Sequence, residues 1–89
     1  MKTLKLKFKE SIDREVEITL PAYMKSNCHF WEVTDENTVI KITELNNHHD
    51  ISDSYIESAF SKGNEPSTEE EFNAAYERMI NYFNTKKRK

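Results

Sequence analysis

The sequence predicts an α+β fold: a four-stranded antiparallel sheet of two hairpins, followed by two C-terminal helices packed on one face. Three observations lead there. Apolar and polar side chains alternate through much of the first 45 residues, the two-residue period of half-buried strands. From Asp50 onward the apolar spacing changes to three and four, the period of a helix. The chain has 89 residues, enough for one hydrophobic core and too few for two.

The first strand is expected over residues 3–9, TLKLKFK. Leu4, Leu6 and Phe8 share one face, and Lys5, Lys7 and Lys9 the other. Residues 14–20 repeat the alternation with the charge reversed, setting Val16, Ile18 and Leu20 against Glu15 and Glu17. With Ser11, Ile12 and Asp13 at the tip, Phe8 meets Val16, Leu6 meets Ile18 and Leu4 meets Leu20. The same register sets Lys9 opposite Glu15 and Lys7 opposite Glu17. Pro21 ends the strand, and residues 22–27 read as a loop.

Residues 28–34 and 38–45 form the second hairpin, rich in β-branched and aromatic side chains. A turn at Glu36 and Asn37 would set Val33 opposite Ile40, Trp31 opposite Ile42, and Glu32 opposite Lys41. Cys28, Phe30, Val39 and Leu45 then share the other face, so this hairpin is expected to be covered on both sides.

After Asp50, Ile51, Tyr55, Ile56, Ala59 and Phe60 fall at helical spacing. Ser54 and Glu57 match a capping box, and Gly63 marks the stop. Ser67 opens the second helix by capping the amide of Glu70, with Glu69, Glu70 and Glu71 at the positive end of its dipole. Phe72, Ala75, Tyr76, Met79, Ile80 and Phe83 make one stripe, expected to form a lid over Leu6, Phe8, Val16, Ile18, Trp31 and Ile42. Residues 1–85 read as a single domain and residues 86–89, KKRK, as a basic tail. The wording of residues 63–83, GNEPSTEEEFNAAYERMINYF, resembles that of small bacterial and phage proteins, a resemblance that implies no function.

Composition narrows the function. Charged residues make up 33 % of the chain and the formal net charge is −3, which argues against broad affinity for nucleic acid. One cysteine cannot form an intramolecular disulfide, and no unbroken apolar run matches a secretory signal or a membrane span. The expectation is a cytoplasmic protein with no membrane contact.

Catalytic vocabulary is sparse. The stretch NNHHD at residues 46–50 is the most suggestive, but adjacent His48 and His49 diverge in either a strand or a helix. Convergence with His29 and Asp50 or Asp53 lacks metal-ligand spacing, so a polar connector with Asp50 or Ser52 near a helix N-cap is expected. Cys28 and His29 are neighbours on a strand and point apart, leaving Cys28 as a small hydrophobe. A single glycine supplies no phosphate-cradling loop. The reading is therefore of no catalytic residue, no metal and no cofactor.

A small non-enzymatic protein-binding module is expected, acting on a protein partner or by self-association. The sheet face left bare by the helices would be its surface. Tyr23 and Phe30 are the aromatic candidates for contact, and Lys86, Lys87, Arg88 and Lys89 the charged ones. The alternative is a nucleic-acid accessory protein using that tail with the Lys5, Lys7 and Lys9 row.

Overall fold

The computed structural model describes residues 2–8, 14–46 and 48–87, with backbone alone at 8, 14 and 87. Its fold is α+β with antiparallel sheets and a long C-terminal helix, but the layering differs from the expectation. Strands β1 (Lys2–Phe8) and β2 (Arg14–Leu20) form a two-stranded sheet of their own. A five-stranded sheet follows, built from β3 (Ala22–Lys25), β4 (His29–Asp35), β5 (Thr38–Leu45), β6 (His48–Asp53) and β7 (Glu65–Pro66). Its strand order is β6-β5-β4-β3-β7. One short helix, α1 (Ile56–Ala59), and one long one, α2 (Glu69–Lys87), complete it.

The β1–β2 register lies two residues from the expected one. Leu6 opposes Val16 and Leu4 opposes Ile18, while Lys7 opposes Glu15 and Lys5 opposes Glu17. A slip of two keeps every side chain on its face, so the alternation of Leu and Lys against Val and Glu suits both registers. The expected tip at residues 11–13, Lys9 and the Phe8 side chain lie outside the described residues. Pro21 ends β2, and the Leu20–Pro21 peptide is cis.

Residues 22–25 are a strand, where a loop was expected. Met24 pairs with Trp31 on one side and Pro66 on the other, so this short segment is interior to the sheet. The turn at Glu36 and Asn37 occurs where the sequence places it, with Asp35 opposite Thr38. Beyond it the ladder shifts by one residue between Val33 and Asp35. This bulge reassigns the faces. Val33 now opposes Val39, Trp31 opposes Lys41, and Phe30 opposes Ile42, in place of the expected Val33–Ile40 and Trp31–Ile42 pairs.

The segment expected to be helix from Asp50 begins as strand, since β6 runs to Asp53. Leu45 opposes His48 and Ile42 opposes Ile51, a hairpin joined through Asn46, whose φ of 51° falls in the left-handed region that asparagine tolerates. Within NNHHD, Asn46 lies in a turn and His48, His49 and Asp50 begin β6, so the stretch is not a connector leading into a helix. Only one turn of helix remains at α1. Its N-cap is Tyr55, without a side-chain cap, so the Ser54–Glu57 capping box does not form. The Ser54 hydroxyl instead accepts a hydrogen bond from the Trp31 indole at 3.3 Å. At the other end the Asn64 amide donates to the carbonyls of Ser58 and Ala59, at 3.0 and 2.9 Å. Gly63 lies in the turn beyond, with a φ of 93° that favours glycine.

The two helices lie on opposite faces of the five-stranded sheet. One core joins Ile18 and Leu20 of β2 to Trp31, Val33 and Val39, closed by Ile56 and Ala59 of α1, with Leu4, Leu6 and Val16 packed against it. The other joins Ile42 to Phe72 and Ala75 of α2, with Tyr23, Phe30 and Ile40 around them. The expected lid is therefore corrected: α2 covers Ile42 but not Leu6, Val16, Ile18 or Trp31, which pack together in the core on the other face. The face expected to stand bare is occupied by β1, β2 and α1. Both sides of the β4–β5 hairpin are covered, as its apolar residues on both faces imply.

A candidate interaction surface on the C-terminal helix

Helix α2 is capped one residue later than expected, at Thr68 and not Ser67. The Thr68 hydroxyl accepts from the amide of Glu71 at 3.1 Å, and the Ser67 hydroxyl donates to the Glu71 carboxylate at 3.1 Å. Both satisfy groups at the exposed first turn. Glycine and proline are absent from its 19 residues, and three glutamates sit at its positive end.

Its apolar residues form two rows, not one stripe. Phe72, Ala75 and Met79 are buried. Tyr76, Ile80 and Phe83, one row further round, remain 44, 39 and 42 % exposed. Polar contacts along the length of the helix fix this rotation. At the N-terminal end Lys25 pairs with Glu71 at 2.8 Å, and the Tyr23 hydroxyl lies 3.1 Å from Glu69 and 3.2 Å from Glu32. Burial raises the pKa of Tyr23 above its ordinary value, helped by the hydrogen bond to Glu69 and the charge of Glu32, so it stays a donor.

Farther along, Arg78 donates Nε and a terminal nitrogen to the two oxygens of Glu44, at 2.8 and 3.0 Å. The guanidinium lies 5.8 Å from the Phe30 ring centre. Glu44 also stands 3.7 Å from Nδ1 of His49, whose ring packs against Tyr82 with centroids 4.7 Å apart. Tyr82 in turn touches Phe83 edge-on at 5.2 Å and carries Lys86 Nζ 5.7 Å over its ring. These anchors hold the inner row on the sheet and the outer row toward solvent. A shallow depression of about 320 Å³ follows the outer row between Tyr76, Glu77, Ile80 and Asn81.

The residues singled out in the sequence are scattered. Tyr23 and Phe30 are half-buried and engaged with α2, Tyr23 through Glu69 and Phe72, Phe30 through Arg78 and the Ile42 core. Lys86 and Lys87 continue α2, and Arg88 and Lys89 lie outside the described residues. Lys5 and Lys7 stand opposite Glu17 and Glu15. Cys28 is half-buried. His29 hydrogen-bonds Thr43 at 3.0 Å on the Trp31 side, whereas His49 faces α2 and His48 is exposed. Among the described residues no three His, Cys, Asp or Glu side chains gather as a metal ion needs. A second depression, of about 300 Å³, is lined by Glu36, Asn37, Ser54, Tyr55, Ile56 and Glu57. No described helix is long and apolar enough to cross a membrane.

The exposed outer row was hidden inside a stripe that the sequence assigned wholly to the core. Its width was the available signal: six apolar positions wrap farther round a helix than one sheet can cover.

His29 gives a pH-dependent contribution. Burial, and then the nearby Lys41 charge, lower its pKa below the ordinary 6.5. The unfolded chain therefore takes up the proton first, so this contribution is full above pH 6.5 and declines as pH falls toward the folded-state value. Asp35 and Glu71, whose pKa values are lowered chiefly by hydrogen bonds from Lys2 and Lys25, lose theirs only in more acidic solution. Urea melts between pH 8 and pH 5 should show the wild type losing stability below pH 6.5 relative to His29→Gln. Parallel profiles would remove the assignment.

Comparison of the chain with protein-family models, with curated proteins and with solved structures finds no match in any of the three.

Proposed function

We propose that the chain is a small, non-enzymatic protein-binding module whose working surface is the outer face of α2. The observation behind this reading is the row Tyr76, Ile80 and Phe83, three large apolar side chains in line and 39–44 % exposed on an anchored helix. Spacing of four and three along one face is how an amphipathic helix presents its anchors to a groove or another helix, and aromatic residues dominate the energetics of such contacts. The inner row and the Arg78–Glu44 pair preorganise the surface, so little ordering entropy opposes binding.

The alternative, a nucleic-acid role for residues 86–89 with Lys5, Lys7 and Lys9, has less behind it. Lys5 and Lys7 stand across from glutamates, and the chain is acidic as a whole.

Capture from native cell extract tests the proposal with wild type and Ile80→Glu as paired baits. Proteins retained by the wild type should be lost with Ile80→Glu, while its circular dichroism stays that of a folded domain. Equal retention by both baits sinks the reading.

A further inference from the structure

Resting on that reading, we infer that the partner of this face is a second copy of the chain, with the two α2 helices packed antiparallel. The outer row belongs to a longer seam. Positions 69, 73, 76, 80, 83 and 87 follow one another at intervals of four, three, four, three and four, the spacing of a two-helix seam. They carry Glu, Asn, Tyr, Ile, Phe and Lys. Glu69 and Asn73 are exposed along with the three apolar residues.

The seam is polar with opposite signs at its ends and apolar in the middle, which selects one arrangement. Antiparallel, position 76 of one copy meets 80 of the other, 73 meets 83, and 69 meets 87. The apolar centre closes on itself, and position 69, a glutamate, meets position 87, a lysine, at both ends. Parallel packing in register would oppose Glu69 to Glu69 and Lys87 to Lys87. The wider charge distribution agrees: Glu69, Glu70 and Glu71 begin the helix, and residues 86–89 are KKRK. Antiparallel packing also aligns the two helix dipoles favourably. Three apolar side chains from each copy are few for an obligate dimer, so the association should be weak and sensitive to salt.

Light scattering and sedimentation equilibrium from about 10 μM to about 1 mM test this on the full chain. A monomer–dimer equilibrium is expected, with Ile80→Glu raising the dissociation constant by about tenfold or more. Glu69→Lys and Lys87→Glu should each weaken the dimer, and the double variant should recover it, because the antiparallel pair is then rebuilt with signs exchanged. Glu69 is exposed but accepts the Tyr23 hydroxyl at 3.1 Å; the double variant lacks that bond just as the single one does, so its recovery reports the seam alone, whether or not Ile80→Glu disturbs folding. A dimer unmoved by the charge exchanges, or by Ile80→Glu in a folded chain, overturns the inference. A monomer throughout also overturns it. If Ile80→Glu still abolishes capture from extract in that case, the protein-binding reading survives with a different partner; if both experiments are negative, both fall.

Discussion

Phe72→Ala should lower the stability of the fold by about 3–5 kcal/mol, the range for removing a buried aromatic ring. Phe72 is 5 % exposed and joins Ile42 and Ala75 in the core under α2, with the Tyr23 ring 6.0 Å away. Helix propensity does not hold 19 residues rigid in water, so this contact is what keeps α2 on the sheet. A loss of that size takes much of the roughly 5–10 kcal/mol expected of a domain this small. Phe83→Ala removes the same ring from a site 42 % exposed and should cost well below that range, which corrects the equal weight that the sequence gives the two phenylalanines. Deleting residues 86–89 should cost well under about 1 kcal/mol, since dipole contributions at an exposed end are small and screened. Urea melts of the three variants side by side are decisive. If Phe72→Ala matches the tail deletion, α2 is not docked and both binding proposals lose their platform.

Trp31→Ala should be comparably damaging, about 3–5 kcal/mol, but on the other side of the sheet. Trp31 is 4 % exposed among Ile18, Leu20, Val33, Val39, Ile56 and Ala59. The substitution opens a cavity where the β1–β2 hairpin and α1 meet the sheet, and it removes the indole donor to Ser54. Trp31→Phe keeps most of the packing and loses that bond, so its cost should be about 1–3 kcal/mol. Because Trp31 is the one tryptophan, the melts are followed by circular dichroism and not by fluorescence. A cost under about 1 kcal/mol for Trp31→Ala would mean that the hairpin is not seated on this face.

The strengths and failures of the sequence reading have physical causes. Alternation fixes the parity of a strand, so the faces of β1 and β2 are right, while their offset by two is invisible because both registers pair Lys with Glu. The Glu36–Asn37 turn is readable from its residues, but the one-residue shift just before it is not, and that shift sends Trp31 and Ile42 to opposite faces. The helix expected after Asp50 rests partly on Ile51 and Tyr55, which happen to lie four apart. Pairing with β5 overrides that spacing, and Asn46 followed by Asn47 was the overlooked turn signal. Caps at Thr68 and Asn64 depend on where the chain ends up, and neighbouring Ser, Thr and Asn residues compete for the same role. As for the surface, the residue types in the outer row of α2 were visible, but which of them the sheet would leave uncovered depends on the rotation set by Arg78, Glu44 and Tyr23.

The five-stranded sheet acts as a partition wall. Its backbone separates two small interiors, so Phe30 and Trp31, adjacent in the chain, answer to different halves of the molecule. Each compartment holds too few side chains to persist without the other, and a void in one cannot be filled from across the wall. The two halves are linked through the hydrogen-bonded ladder of β4 and β5, which is where cooperativity must reside. Loosening either compartment frees one side of those strands and weakens the wall for both. A partner bound on α2 as proposed would therefore steady the distant β1–β2 layer as well, with no contact to it.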